Sequence, residues 1–295
     1  MAALPPLVNL QAFEAVARRR SFALAAVELH VTASAISHQV ARLEAHVGVR
    51  LFERSAHGVR LSTAGELYLS RIGGALSAIA AASDDLRLGV SNSLYVHSSP
   101  SFAALWLAPR LRGFAQAHPD IAFNMSASPT HSDFALGQAD IDIRYGIAQW
   151  PNLVVEPLFV ERIVPLASPS FIREHRLRRP EQLLDVPLIQ SNVSIVQWSD
   201  WFASITGKRA PGRYAMRFDR AHMSLDAAAQ GLGVALESST IGGRHLAEGK
   251  LRAIFGLEKA VRVKAHFAVC PARNAKRAPV EAFLGWLHGE AAKDA

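Results

Sequence analysis

The chain has 295 residues, half of them apolar and 19% charged, with a formal charge of +7. Its length exceeds a single compact core of ordinary size and sets an expectation of two or three domains, while the apolar half excludes wholesale disorder. No apolar run reaches the roughly 18 residues of a membrane span, and the basic cluster Arg18-Arg19-Arg20 follows the first apolar stretch, the reverse of a secretory signal. A cytoplasmic protein with no membrane partner is expected.

The first segment that carries chemistry runs from Ser21 to Gly65. Ser21 fits the N-cap of a helix from Phe22 to His30 that turns Ala25, Ala26 and Leu29 inward. The small pair Ala25-Ala26 admits a second helix at close range. Val31 and Thr32 form the turn, and Thr32 caps the next helix. There Ile36, Val40, Leu43 and Val47 recur at steps of four, three and four, one buried stripe. Ser34, Ser37, His38, Ala41 and Arg42 lie on or near the opposite face, with Gln39 beside them. A small, polar outward face suits a helix entering the major groove of double-stranded DNA. The same spacing also suits an ordinary helical hairpin with a solvated face.

The context favours DNA. Leu51-Phe52-Glu53-Arg54, His57-Gly58 and Arg60-Leu61 read as two short strands around a turn. Such a wing lays Arg54, His57 and Arg60 along phosphates or into the minor groove. Apart from histidine, every basic residue before Lys208 is arginine, and Arg42, Arg50, Arg54 and Arg60 fall in this segment. Arginine suits bidentate grips on phosphate and guanine. A compositional bias explains the missing lysines equally well, but not this placement.

From Thr63, taken as an N-cap with Glu66 reaching back, a third helix carries Leu69, Ile72, Leu76, Ile79, Ser83 and Leu86 at alternating steps of three and four. Extended to residue 88 it would be roughly 37 Å long, too long and one-sided for a small head alone. Dimerisation is the expected use, against the alternative of a core helix.

These pieces together resemble the N-terminal domain of LysR-type transcriptional regulators. The resemblance rests on Leu10-Gln11-Ala12-Phe13, Ser21-Phe22 with Ala25-Ala26, Val31-Thr32, Ser34-Ala35-Ile36-Ser37, Leu43-Glu44, Gly48, Leu51-Phe52-Glu53-Arg54 and Leu61-Ser62-Thr63-Ala64-Gly65. It implies a linker helix that pairs two subunits antiparallel. Two departures stand out. The family usually has glutamine where this chain has Ala33, and often arginine in the wing tip where it has His57. The first removes a bidentate base reader and shifts weight toward DNA shape.

After Gly89 short apolar runs alternate with helical segments, a βαβ rhythm that predicts parallel sheet covered by helices. Strands are expected at LYVHSS, IAFNMSAS, ADIDIRYG, NLVVEPLFV, RIVPLAS, PLIQS, YAMRFD, LGVALES and VRVKAHFAV. Helices are expected at Val196 to Thr206, Met223 to Gln230, Thr240 to Glu248 and Pro279 to Glu290. The arrangement resembles the family's effector domain, built like periplasmic solute-binding proteins from two lobes around a ligand cleft. That implies entry into the second lobe near Glu161 and return near Lys264. The overall expectation is an α/β protein: a winged helix-turn-helix (1–62), a linker and dimerisation helix (63–89), and a two-lobed effector domain (90–295). Lobe 1 would take about 90–160 and 265–295, and lobe 2 about 161–264.

Ser99 and Ser101 flank Pro100 at a helix start that could receive a carboxylate or phosphate; simple capping is the alternative. Arg144 and Tyr145 are further effector candidates, although Asp142 and Arg144 share a strand face and can pair with each other. The strings SFAALWLAPRL, HPDI, DIDIRYG and SPSFI resemble the branch containing the glycine-cleavage activator and the β-lactamase-inducing regulators. In that branch effectors are amino-acid- or peptide-like, and in the latter regulators an aspartate matching Asp133 contributes to the effector site.

No Gly-x-Ser-x-Gly elbow, P-loop or His-Glu-x-x-His motif is present, the twelve histidines lack metal-ligand spacing, and Gly231-Leu-Gly233 reads as a tight helix-to-strand turn. Cys270, alone in an alternating apolar run, is expected to be packed. No catalysis, metal or cofactor is expected. The leading expectation is a transcription factor whose partners are double-stranded DNA, a small amino-acid-, peptide- or carboxylate-like effector, a second or fourth copy of itself, and RNA polymerase. The alternative is an oligomeric small-molecule binding protein without sequence-specific DNA function.

Overall fold

The structure, a computed structural model, describes residues 4–55, 58–87 and 92–294. The chain divides into two compact units, Met1–Gly89 and Val90–Ala295. The first holds α1 (Leu7–Arg19), α2 (Phe22–Glu28), α3 (Ala33–Val47), the hairpin β1 (Phe52–Ser55) and β2 (Gly58–Leu61), and α4 (Thr63–Arg87). Ser21 caps α2 by accepting the Leu24 N–H at 3.3 Å, and Thr32 caps α3 by accepting that of Ala35 at 3.2 Å. The second helix stops at Glu28 instead of His30. His30 takes a left-handed backbone (φ 55) and the Val31 N–H donates to Ala26 O at 3.0 Å, which turns the chain into α3.

Ala15, Val16, Ala25, Ile36 and Val40 form one buried cluster of this unit, and Phe13, Leu43 and Leu51 another. Burial of each large aliphatic chain is worth about 1.5–3 kcal/mol. The start of α4 differs from expectation. Ser62, not Thr63, is the capping side chain: its hydroxyl accepts the Gly65 N–H at 3.0 Å and donates to Arg50 O at 2.8 Å. It thereby ties the helix to the residue before the wing, a bond that Thr63, exposed to solvent, does not make. Gly65 follows for a steric reason, since a Cβ there would lie 2.1 Å from Leu51 O.

The second unit contains two sheets. The first has the order β4-β3-β5-β13-β6, with β3 (Ser93–Ser98), β4 (Ala122–Ala127), β5 (Ile141–Tyr145), β6 (Val154–Pro157) and β13 (His266–Cys270). The second has the order β11-β7-β10-β8-β9, with β12 also on β7; these are β7 (Glu161–Ala167), β8 (Leu188–Ser191), β9 (Met216–Phe218), β10 (Val234–Ser238), β11 (Arg252–Ala253) and β12 (Val261–Val263). Both sheets are mixed. The βαβ segments give parallel pairs, β3 with β4 and β5 and β8 with β9 and β10, but β13 runs antiparallel to β5 and β6, and β7 antiparallel to β10. The run VRVKAHFAV, read as one strand, is two: β12 belongs to the second sheet and β13 to the first. The chain therefore changes sheets twice, between β6 and β7 and between β12 and β13. Helices occupy Trp198–Thr206, Ala221–Ala229, Gly243–Ala247 and Ala278–Ala292. Gly231 and Gly233, both at positive φ, make the helix-to-strand turn into β10. Cys270 is buried, which pushes its thiol pKa up. No helix among the described residues is long and apolar enough to cross a membrane.

Candidate functional site

The first unit offers one polar helix face. Ile36, Val40 and Leu43 are buried, and Ser34, Ser37, His38 and Arg42 are exposed along the other side of α3, with Gln39 half-buried between the two. Thr32 is exposed, but its hydroxyl is engaged in the cap. Glu44, at the far end of α3, accepts the N–H groups of Leu51 (2.7 Å) and Phe52 (3.2 Å) and so fixes the wing against the helix. In the wing, Glu53 and Arg60 face each other across the hairpin and pair at 2.7 Å. Arg60 is thus already partnered by a carboxylate. His57, and the side chains of Arg54 and Leu86, lie outside the described residues. An ion-pair cluster locks α1 to α2: Arg18 bonds Glu14 and Glu28, and Arg19 bonds Glu28 at 2.5 Å. The two guanidiniums pull the Glu28 carboxyl down to about 2.

Along α4 the seam is shared. Leu69 and Ile72 pack with Tyr68 against Phe13, Leu43 and Leu51, within the unit itself. Leu76 is half-buried, and Ile79 is 50% exposed.

In the second unit a cavity of about 290 Å³ opens between the two sheets. Ser99, Ser101, Arg144 and Tyr145 all line it; Asp133 does not. Asp133 is exposed and its carboxylate accepts the Ala135 N–H at 2.8 Å, capping a short turn. Ser99 stands at the N-cap position before Pro100, yet its hydroxyl makes no capping bond. Ser101 Oγ accepts the His222 N–H at 3.2 Å and lies 3.1 Å from His222 Nδ1. The Tyr145 hydroxyl accepts the Ile195 N–H at 3.1 Å. Both bonds join the lobe containing the first sheet to the lobe containing the second. Burial raises the Tyr145 pKa, with a further push from Glu161.

Arg144 is held by a buried network. Its Nε donates to Asp142 Oδ2 at 2.9 Å and its NH2 to Ser132 O at 3.3 Å, with Phe134 and Trp150 against the guanidinium. Asp142 also meets His97 Nδ1 at 2.8 Å and the Ser132 N–H at 3.0 Å. Burial alone pushes the Asp142 carboxyl upward, but His97, Arg144 and Ser132 outweigh it and hold it below its ordinary value. The pairing of Asp142 with Arg144 anticipated from the strand pattern is present, and it still leaves both residues in the lining.

Three buried ionisable residues are among the lining residues that escape a reading of the sequence. Glu161 is fully buried, with Oε1 2.9 Å from His266 Nδ1. It opens β7 where the chain crosses between sheets, and His266 opens β13 where the chain returns. Glu237 is 5% exposed within the fully buried strand VALES. Burial pushes its carboxyl up to about 8; Ser191 and Ser224 oppose the shift, and Glu161 adds to it. The only signal in the sequence was a carboxylate inside, or at the mouth of, an apolar run. Among the described residues no cluster of three or more His, Cys, Asp or Glu is arranged to hold a metal ion.

Residues 7–66 match the family model of the bacterial regulatory helix-turn-helix protein, lysR family, and residues 87–292 match that of the LysR substrate binding domain. The chain is 37% identical to the HTH-type transcriptional regulator PerR of Escherichia coli over 97% of its own length and 95% of that protein. It is 33% identical to the glycine cleavage system transcriptional activator of the same species (99% and 95%), and 34% identical to the HTH-type transcriptional activator AmpR of Pseudomonas aeruginosa (98% and 97%). The solved effector domain of Pseudomonas aeruginosa AmpR superposes with a TM-score of 0.61 at 30% identity, covering 69% of this chain and 98% of that one. Full-length CrgA from Neisseria meningitidis shares the fold, with a TM-score of 0.60 at 24% identity over 96% of this chain and 98% of that one.

Proposed function

The chain belongs to the LysR family of transcriptional regulators, DNA-binding proteins with an effector-binding domain, and from that membership we propose the finer assignment of its parts. Ser34, Ser37, His38, Gln39 and Arg42 of α3 face the bases and nearby phosphates, Thr32 supports the helix start, and Arg54, His57 and Arg60 of the wing grip the backbone. The effector is a small amino-acid-, peptide- or carboxylate-like molecule held in the cavity, with Ser99, Ser101, Arg144 and Tyr145 in contact with it. The observation that carries this reading is the cavity itself, closed by two sheets and lined by hydroxyls, among them the uncapped Ser99. Asp133, which the resemblance suggested, is left out of the set.

The mechanism is a shift between two arrangements of paired heads, which requires the effector to bind one arrangement more tightly. The cleft supplies that preference, since Ser101–His222 and Tyr145–Ile195 exist only while the lobes are together. Pairing of subunits through Leu76, Ile79 and Leu86 of α4, as a dimer or a dimer of dimers in the cytoplasm, places two heads on one operator. Recruitment of RNA polymerase would follow from that geometry.

The test is a gel shift and footprint of the full-length protein on its own and neighbouring promoters. A protected two-part site, preferred over random duplex at physiological salt, is the expected result. Equal affinity for random duplex would leave only the oligomeric binding protein.

A further inference from the structure

We propose that the effector carries a cationic nitrogen, an alkylammonium or a guanidinium, that docks at the end of the cavity walled by Glu161, Glu237 and Ser191. This deepens the effector assignment above and rests on it. Glu161 Oε2 and Glu237 Oε1 are each buried, each on a lining residue, and each without a hydrogen-bond partner among the described residues, and the Ser191 hydroxyl is buried beside the Glu237 carboxyl. They come from three different strands of the second sheet, β7, β10 and β8, so the fold converges them. Buried polar atoms are ordinarily paired, and two unpaired carboxyl oxygens on one cavity, with a hydroxyl beside them, form an acceptor set for a group rich in N–H donors.

The charges around this end select the sign of the ligand. Arg144 is committed to Asp142, and Arg220 on the rim to Asp219 at 2.8 Å. His266 holds the other oxygen of Glu161. From the helix Ala221–Ala229, Ser224 faces Glu237, His222 is engaged with Ser101, and Asp226 is paired with His245. Tyr145 contributes a hydroxyl whose pKa is raised. Each cationic side chain named here is already engaged, so an incoming carboxylate would find no free counter-charge among them, whereas a cation meets Glu161 and draws Glu237 into its carboxylate form. Phe102, Ile163 and Ile241 line the same cavity and suit the alkyl part of such a ligand while lowering the local dielectric.

Docking has a proton signature. Glu237, with its carboxyl raised to about 8, enters the complex as the acid at neutral pH and gives up its proton to a cation that favours the carboxylate. Affinity therefore climbs with pH up to about 8 and then levels.

The experiment uses the full-length protein and matched probes: L-ornithine, L-arginine, agmatine and butylamine against pentanoate and butanol. At about 10 mM, at least one cationic probe is expected to raise the melting temperature while pentanoate and butanol do not. Glu237→Gln and Glu161→Gln should each weaken that probe by about tenfold or more, and calorimetry in buffers of different ionisation enthalpy should register proton release in the wild type and none in Glu237→Gln. Where Glu161→Gln does not fold, Ser191→Ala reads the same loss. Stabilisation by pentanoate equal to that by L-ornithine would overturn the cationic end while leaving the cavity as an effector site. Stabilisation by no probe of either kind would remove both readings.

Discussion

At the residue scale, two carboxyls give the protein opposite responses to pH. Glu28 sits between Arg18 and Arg19 with its pKa lowered to about 2, so its contribution is present above the ordinary carboxylate range and fades as acid approaches that value. Glu237 behaves in reverse. The unfolded chain releases this proton near its ordinary value of 4.5, whereas the folded chain keeps it until about 8. The folded state therefore holds more protons across that window, and stability falls as pH rises, by up to about 1.4 kcal/mol per pH unit. Glu237→Gln lacks the slope, so its melting temperature should gain on the wild type steadily between those two values; a constant difference across a pH series would place the carboxyl in water. Gly65 makes a steric prediction. A methyl group there meets Leu51 O at 2.1 Å, and backbone cannot swing aside. Gly65→Ala should destabilise the first unit by about 1–3 kcal/mol or more and weaken DNA binding, while ligand-induced shifts of the second unit persist.

At the scale of elements, α3 separates its stabilising residues from those proposed to read DNA. Thr32→Ala removes the cap and should cost about 1 kcal/mol. Changing Ser37, His38 and Arg42 together to alanine should leave the melting temperature nearly unchanged, abolish site preference, and reduce the salt slope of binding by about one for the lost arginine. A fall in stability matching that of the cap variant would show that this face is packed. Much of this was legible in the sequence because periodicity reports burial directly: the stripe Ile36, Val40, Leu43 and the caps Ser21 and Thr32 stand as read. The cap of α4 was misread by one residue, because Ser62 and Thr63 offer the same hydroxyl and only the partner at Arg50 distinguishes them. The break inside VRVKAHFAV was invisible, since β12 and β13 are each locally strand-like and only the change of sheet divides them. Glu161 and Glu237 were missed for a related reason. Their meaning depends on strands far apart in sequence, whereas Ser99, Ser101, Arg144 and Tyr145 sit in motifs with local shape. Asp133, carried over by resemblance, lies outside the cavity lining and caps a turn.

At the scale of the whole molecule, the division of labour along α4 sets a prediction about assembly. Leu69 and Ile72 are consumed by the head, which leaves Ile79 as the large exposed aliphatic of the remaining seam among the described residues. Ile79→Asp places a charge where a partner helix would pack, and should convert the oligomer to a smaller species in analytical ultracentrifugation without unfolding either unit. An unchanged sedimentation coefficient would move the subunit contact elsewhere. Loss of the proposed pairing should also cut operator affinity far more than effector affinity, because two heads would be needed for one and a single cavity suffices for the other.

The position of β13 has a consequence for synthesis. It lies between β5 and β6 in the first sheet, yet in sequence it follows every strand of the second. A ribosome working from the N-terminus releases β7 to β12 before the one strand that joins β5 to β6. For that interval the nascent protein carries a finished second sheet beside a first one whose open edge at β5 invites mispairing, and only translation of β13 completes that first sheet.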